Sequence, residues 1–443
     1  MFTNNLAVLL FLLLTTPSLP TPFPHLPSTL IQRHGIPFNA PSLNSNLFQF
    51  LTARQTLVQR IKNKHEQALP ALTQANSLPS TFECIENTTS IGNMFLQSPA
   101  ALEHAAQQLE YLISIDKLPN DFLVIAQAYR TTYLDYMATS NPTNNPNGAL
   151  FVPSESQLQQ QFYLHNTLLY YPQQNIQHYL NQNMSVLNEK PVSFWKNMEQ
   201  KYLQGEVVVV DDLLSKWSLD LVYNFCLEAT IFWEHKLGGK YLGAYTYFGL
   251  YNEMMQTITK ELRKVLPNVI GDQLLRNFWS YKYLGGSDDD EDTEESHSED
   301  IQSGVPPHAD LASVNLNLWI TPDSANLNPN IGGLDVWKYH VNSALEFNEF
   351  QKLKYGEAHR VLEESEKISI PYKRNRMVLF KSDLVHATGK LKFKKGYKNR
   401  RINLTWLFGS PDFKTSLTTM DTAEERNLVF LSRRYKLPYV LKI

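Results

Sequence analysis

The sequence predicts an α+β protein, in which a mainly α-helical N-terminal region precedes a jelly-roll-type double sheet. Two patterns carry that expectation. Before residue 205, apolar side chains recur at helical spacing, as in Leu47, Phe50, Leu51, Leu57, Val58 and Ile61. After it, short alternating or β-branched runs are separated by turn residues, as expected for a two-layered β domain. At 443 residues there is room for about two domains and a large core.

Residues 1–41 form a leader, first apolar and then rich in Pro, Ser and Thr. The apolar run 6–14 has the length of a secretory h-region and is too short to span a bilayer. No Lys or Arg precedes it and no clear small-x-small site follows, so a signal peptide for the secretory pathway and a retained, cytoplasmic N-terminus both stay open. The glycosylation triplets at Asn87 and Asn183 matter only in the first case.

Residues 42–204 read as helical. Ser98-Pro99 makes a cap and first turn, Phe122–Met137 and Gln157–Leu169 are further helices, and Asn141–Gly148 is a turn between them. This region carries no motif, and its expected task is packing against the β domain or presenting a surface to a protein partner.

The β domain is expected over 205–410. Glu206–Val210 reads as a buried strand, with Asp211-Asp212 capping a helix through Cys226. Leu250–Leu266 is an amphipathic helix stopped by Pro267, and Phe278–Leu284 alternates as a strand. The acidic run 287–300 cannot order itself and reads as a solvated insertion, with a regulatory flap as the sharper alternative. After Asp310, the apolar set Ala312, Val314, Leu316, Leu318 and Ile320 alternates with Ser313, Asn315, Asn317 and Trp319, as in a half-buried strand. Because the apolar set shares its parity with His308 and Asp310, an unbroken strand would aim both at the buried side. Gly332-Gly333 supplies a turn, Lys352–Lys367 a charged surface excursion, and Ile368–Ile370, Met377–Phe380 and Ile402–Trp406 further strands. Residues 411–443 form a tail in which Arg433-Arg434-Tyr435-Lys436 either docks a partner or is solvated.

Composition limits the function. With 43% hydrophobic and 19% charged residues the chain reads as globular. The formal net charge is −3, and the nine acids of the insertion leave the remainder modestly positive, with no concentrated basic face of the kind a nucleic-acid binder needs. The basic stretch Lys390–Arg401 either steers an acidic ligand or forms a solvated hairpin. The two cysteines, Cys84 and Cys226, belong to no CxxC pair, and Cys226 is expected simply to pack. His65-Glu66 lacks the second histidine of a zinc protease motif, and no GxSxG or Walker pattern is present.

One constellation does carry chemistry: Pro306-Pro307-His308-Ala309-Asp310, then His386, then Arg401. His308 and Asp310 are one residue apart and share a face on an extended backbone. Two imidazoles and a carboxylate on one side of a divalent metal leave three adjacent positions free, which suits a reaction site rather than a closed structural one. An arginine can hold a carboxylate through two parallel hydrogen bonds. Arg400 and Arg401 point to opposite faces, so only one enters the interior. Arg401, which shares a face with Asn403 and Thr405, is expected there, while Arg400 aligns with Ile402, Leu404 and Trp406. Asp383, the rival carboxylate near His386, is expected in a hairpin or supporting role.

In the order and spacing of these residues the chain resembles the 2-oxoglutarate and iron(II)-dependent dioxygenase superfamily. Val314–Asp323 and Gly332-Gly333-Leu334 are further similar to its phytanoyl-hydroxylase-like branch. The resemblance implies a double-stranded β-helix with Fe(II) held by His308, Asp310 and His386, and 2-oxoglutarate anchored by Arg401 with help from Asn403 and a tyrosine, Tyr283 or Tyr281. It implies hydroxylation of an unnamed substrate with O2, releasing succinate and carbon dioxide. The alternative is a β-helix domain without turnover that serves as a binding or scaffold module.

Overall fold

The structure is a computed structural model, and it describes residues 98–139, 169–172, 174–235, 241–246, 249–283, 304–353 and 355–410. The leader, the helices expected before residue 98 and over 157–168, Cys84, the acidic insertion and the C-terminal tail lie outside the described residues.

The N-terminal part is helical. Helix α1 (Pro99–Ser114) starts where Ser98 accepts from Ala101 N with Pro99 in the first turn, and it packs against α2 (Leu123–Thr139) through Leu102, Ala106, Leu109, Ile125 and Ala126. The short α3 (Ile176–Leu180) and α4 (Val192–Leu203) follow. Strand β1 (Val208–Val210) is shorter and less buried than expected, because it forms an edge and Val209 faces out. Asp211 does not cap the next helix. Its carboxylate meets Arg376 and Lys373, and α5 (Lys216–Glu228) starts after Ser215. Strands β2 (Glu234–His235) and β3 (Tyr241–Tyr245) precede α6 (Glu253–Val265), which Asn252 caps, and β4 (Leu275–Tyr283) follows.

The remaining strands are β5 (Val314–Trp319), β6 (Leu334–His340), β7 (Lys367–Ile370), β8 (Met377–Lys381), β9 (Leu384–Thr388) and β10 (Ile402–Phe408). They form two antiparallel sheets, a large one ordered β1-β8-β5-β10-β4-β3-β2 and a small one ordered β7-β6-β9. From β5 onward the chain keeps passing between them. Trp319, Val378 and Phe380 of the large sheet pack with Leu334, Val336, Ile370 and Leu384 of the small one, so the two sheets face each other. The other face of the large sheet, with Leu316, Leu318, Met377, Leu379, Leu404 and Trp406, is covered by α4, α5 and α6. Cys226 packs there, and burial pushes its thiol up to about 12.

Covering on both sides explains why every residue of β5 and β10 is buried. The half-buried strand expected at Val314–Trp319 is therefore corrected: its polar residues point into the space between the sheets. The stretch Lys352–Lys367 is more than a surface excursion, because it contains α8 (Tyr355–Leu362). With α7 (Ala344–Phe350) just before it, this helix brings Phe347, Phe350, Ala358 and Leu362 to pack with Ala309, Trp337 and Val385. Among the described residues, no helix is long and apolar enough to cross a membrane.

Candidate metal centre

His386 lies on β9, and His308 pairs directly opposite it by exchanging both backbone hydrogen bonds, at 3.0 and 2.8 Å. Directly opposed residues present their side chains on one face, so two histidines far apart in sequence become neighbours, with ring centroids 4.3 Å apart. Asp310 comes two residues later, where the chain leaves the small sheet for the large one.

That crossing is not an unbroken strand. Residues 311–313 bend, Ala312 N bonds back to Asp310 O, and regular pairing resumes at Val314. The apolar set 312–320 consequently faces the helices, while Asp310 joins the face of Asn315, Asn317 and Trp319. The expected sharing of parity is corrected by that bend. A second crossing, the turn between β8 and β9, is stitched to the first at Ser382. Its N–H donates to Ser313 O, its carbonyl accepts from Asp310 N, and its hydroxyl donates to Asp310 O. Asp383 in the same turn meets His340, 2.9 Å away, rather than the histidine pair.

One ligand atom from each of His308, Asp310 and His386 lies within 4.8 Å of the others. His386 Nε2 is 3.3 Å from Asp310 Oδ2, and His308 Nε2 is 3.9 Å from Asp310 Oδ1. Each imidazole has its Nδ1 at a backbone carbonyl, Pro306 O at 2.7 Å and Leu384 O at 3.0 Å. A donor Nδ1–H there leaves Nε2 as a lone pair turned inward, the tautomer a metal requires. Burial, and then the neighbouring His386, bring the His308 pKa down to about 4, so it is neutral near pH 7. For Asp310, burial opposes ionisation, but the neighbouring His386 and His308 and the hydrogen bond from the Asn315 amide outweigh it and hold the carboxyl below its usual value. Two imidazole nitrogens and one carboxylate make a donor set that fits a divalent cation of Fe(II) type.

Arg401 occupies the same interior. It is 2% exposed, and its guanidinium lies over the rings of Tyr283, Trp319 and Tyr372 at 4.7, 5.6 and 6.0 Å. Nε donates to Gly332 O at 2.6 Å and Nη2 to Gly333 O at 3.2 Å. Gly333 also lies against the neighbouring strand, where a Cβ would be 1.8 Å from Ile370 O, so only glycine fits there. Among the described residues, no carboxylate pairs with Arg401. Arg400, its neighbour, emerges on the opposite face and reaches Glu103 and Gln107 of α1. Of two adjacent buried guanidiniums, one is thus neutralised and the other has its charge directed between the sheets. A buried cation of that kind is costly unless an anion joins it.

The other expected residues lie nearby. Tyr283 Oη is 3.1 Å from Thr388 Oγ1, two residues beyond His386. Asn403 is engaged at both ends, by Arg401 at Oδ1 and by Thr405 from Nδ2. Tyr281 turns its hydroxyl to Tyr245 at 3.2 Å. Sequence reasoning missed Ser382, the carbonyls of Gly332 and Gly333, and Asn315. The even spacing of Asn315 and Asn317 on one strand face was the available signal for the last.

No family model matches this chain, and no curated protein matches it. Among solved structures, it is similar to a non-heme alpha ketoglutarate dependent epimerase, SnoN, from nogalamycin biosynthesis (10% identity, 50% of this chain and 84% of that one, TM-score 0.33). It is similar to a prolyl hydroxylase from Trichoplax adhaerens, in complex with a hypoxia inducible factor peptide fragment (11% identity, 53% and 94%, TM-score 0.32). A Pseudomonas putida prolyl-4-hydroxylase gives 11% identity over 52% and 98%, with a TM-score of 0.28. Likeness this distant carries no weight for the chemistry.

Proposed function

We propose that this protein is an Fe(II)- and 2-oxoglutarate-dependent dioxygenase on a double-stranded β-helix, hydroxylating a substrate with release of succinate and carbon dioxide. The observation that carries this reading is the convergence of His308, Asp310 and His386 in the interior that also holds a buried guanidinium, with no carboxylate of the described residues beside it. The order of these residues, with Val314–Asp323 and Gly332-Gly333-Leu334, supports the phytanoyl-hydroxylase-like branch as the finer assignment.

When bound, iron with 2-oxoglutarate and O2 supplies oxidative decarboxylation coupled to oxygen insertion into a C–H bond. The chain's part is to bind and orient. His308, Asp310 and His386 would hold the metal, each through one ligand atom. The Arg401 fork takes the distal carboxylate of 2-oxoglutarate and fixes its length along the interior. The Tyr283 ring lies under the guanidinium, with its hydroxyl at Thr388 Oγ1, and would supply a second donor to that carboxylate. Asn403 orients Arg401 through its amide oxygen. Aromatic and aliphatic packing between the sheets excludes water, which strengthens each of these charge interactions.

The test is succinate formation from 2-oxoglutarate with added Fe(II), screened over peptide, lipid and small-metabolite pools. Turnover that requires both additions and disappears in His386→Ala supports the reading. Protein that binds neither metal nor 2-oxoglutarate supports the scaffold alternative instead.

A further inference from the structure

Five hydrogen bonds run without a break from Arg401 to Asp310. Arg401 Nη1 donates to Asn403 Oδ1 at 3.4 Å, Asn403 Nδ2 to Thr405 Oγ1 at 3.1 Å, and Thr405 Oγ1 to Asn317 Oδ1 at 2.8 Å. Asn317 Nδ2 then donates to Asn315 Oδ1 at 2.7 Å, and Asn315 Nδ2 to Asp310 Oδ2 at 2.8 Å. The sheet builds this chain by register. Residues two apart on β10 and on β5 share the inner face, and Thr405 sits directly opposite Asn317.

The direction of every bond is set by the ends. A guanidinium can only donate and an ionised carboxylate can only accept, so each amide must turn its oxygen toward Arg401 and its nitrogen toward Asp310. Aligned dipoles reinforce one another in a dry interior. All four intermediates are buried, with Asn315 at 0% and Asn317 at 6% exposure, so water does not substitute for a lost link. Stability alone gives little reason for such a row. An all-apolar inner face, with every partner in the row replaced together, would cost the core little, as the apolar set on the opposite face of the same strand illustrates.

We propose that Asn315, Asn317 and Thr405 are positioning residues that hold the Asp310 carboxylate in its metal-binding orientation, tied through Asn403 to the Arg401 anchor. This rests on the metal site proposed above. Asn315 acts on Asp310 directly, whereas Thr405 acts from three hydrogen bonds away and touches no metal ligand.

The experiment is titration of the full chain with Mn(II) alone, read by calorimetry and by the Mn(II) electron paramagnetic resonance line shape. Metal-free thermal unfolding reports folding. Asn315→Leu is expected to weaken Mn(II) binding roughly 10- to 100-fold and to broaden the spectrum. Thr405→Val, nearly isosteric, is expected to weaken it about fivefold, the worth of one link. Thr405→Ser, which keeps the hydroxyl, is expected to restore the wild-type value. Equal affinity in the wild type and Thr405→Val, or failure of Thr405→Ser to restore what Thr405→Val loses, overturns the positioning role and leaves the metal site standing. A wild type with no His386-dependent Mn(II) site overturns both.

Discussion

The adjacent arginines supply an internal control, because conservative replacement of each should have a different effect. Arg401→Lys keeps a positive charge between the sheets but replaces a planar fork with a single ammonium. Arg401 Nε and one N–H each of Nη2 and Nη1 are already committed to Gly332, Gly333 and Asn403, so one N–H on each of Nη1 and Nη2 is left to offer a carboxylate. Loss of one of two charge-assisted bonds costs about 1.5–3 kcal/mol, equivalent to roughly a 10- to 150-fold rise in KM for 2-oxoglutarate. Arg400 sits behind the sheet, paired with Glu103 at 3.1 Å, so Arg400→Lys should leave KM unchanged while lowering stability by about 1 kcal/mol. Succinate formation at varied 2-oxoglutarate, with urea unfolding of both variants, measures each quantity. A raised KM in Arg400→Lys with a normal one in Arg401→Lys would refute the assignment of faces.

Other perturbations follow from the same geometry. Gly333→Ala forces a Cβ against the Ile370 carbonyl, 1.8 Å away, and should cost about 3 kcal/mol in urea unfolding as well as displacing a carbonyl that holds Arg401. Mn(II) at one hundred times its dissociation constant should stabilise the chain by about 2.7 kcal/mol, seen as a rise in Tm that EDTA reverses and that Asp310→Ala abolishes. The Asp211 carboxyl is held down at about 2, first by the hydrogen bonds from Arg376 and then by Lys373, against a usual value of 3.8. Its contribution is present above pH 4 and lost as pH falls through about 2, because the unfolded chain takes up that proton first. Asp211→Asn should therefore flatten the acid limb of stability between pH 4 and 2, measured by urea midpoints.

Local patterns made much of the site legible. Strand parity alone separated Arg400 from Arg401, and Ser98, Leu250–Leu266 and Phe278–Leu284 carried recognisable cap, helix and strand signals. The bend at 311–313 left no comparable mark, since it exists to pass the chain from one sheet to the other and is held by Ser382, far away in sequence. Alternation after Asp310 predicts core against solvent, but the large sheet has two covered faces, so its polar side is an interior lined by Asn315 and Asn317. The acids at 211 and 212 looked like a helix cap because nothing local reveals that Arg376 and Lys373 arrive beside Asp211. Carbonyl contacts such as those of Gly332 and Gly333 to Arg401 belong to backbone geometry, which residue type indicates only through the need for glycine.

The most direct measurement is an anaerobic Fe(II) titration of the full chain and of four single variants. One equivalent should bind to the wild type and to Asp383→Ala, which removes a carboxylate that meets His340 instead, and binding should collapse in His308→Ala, Asp310→Ala and His386→Ala. Fe(II) bound equally well without His386, or not bound by the wild type, would contradict the proposed centre.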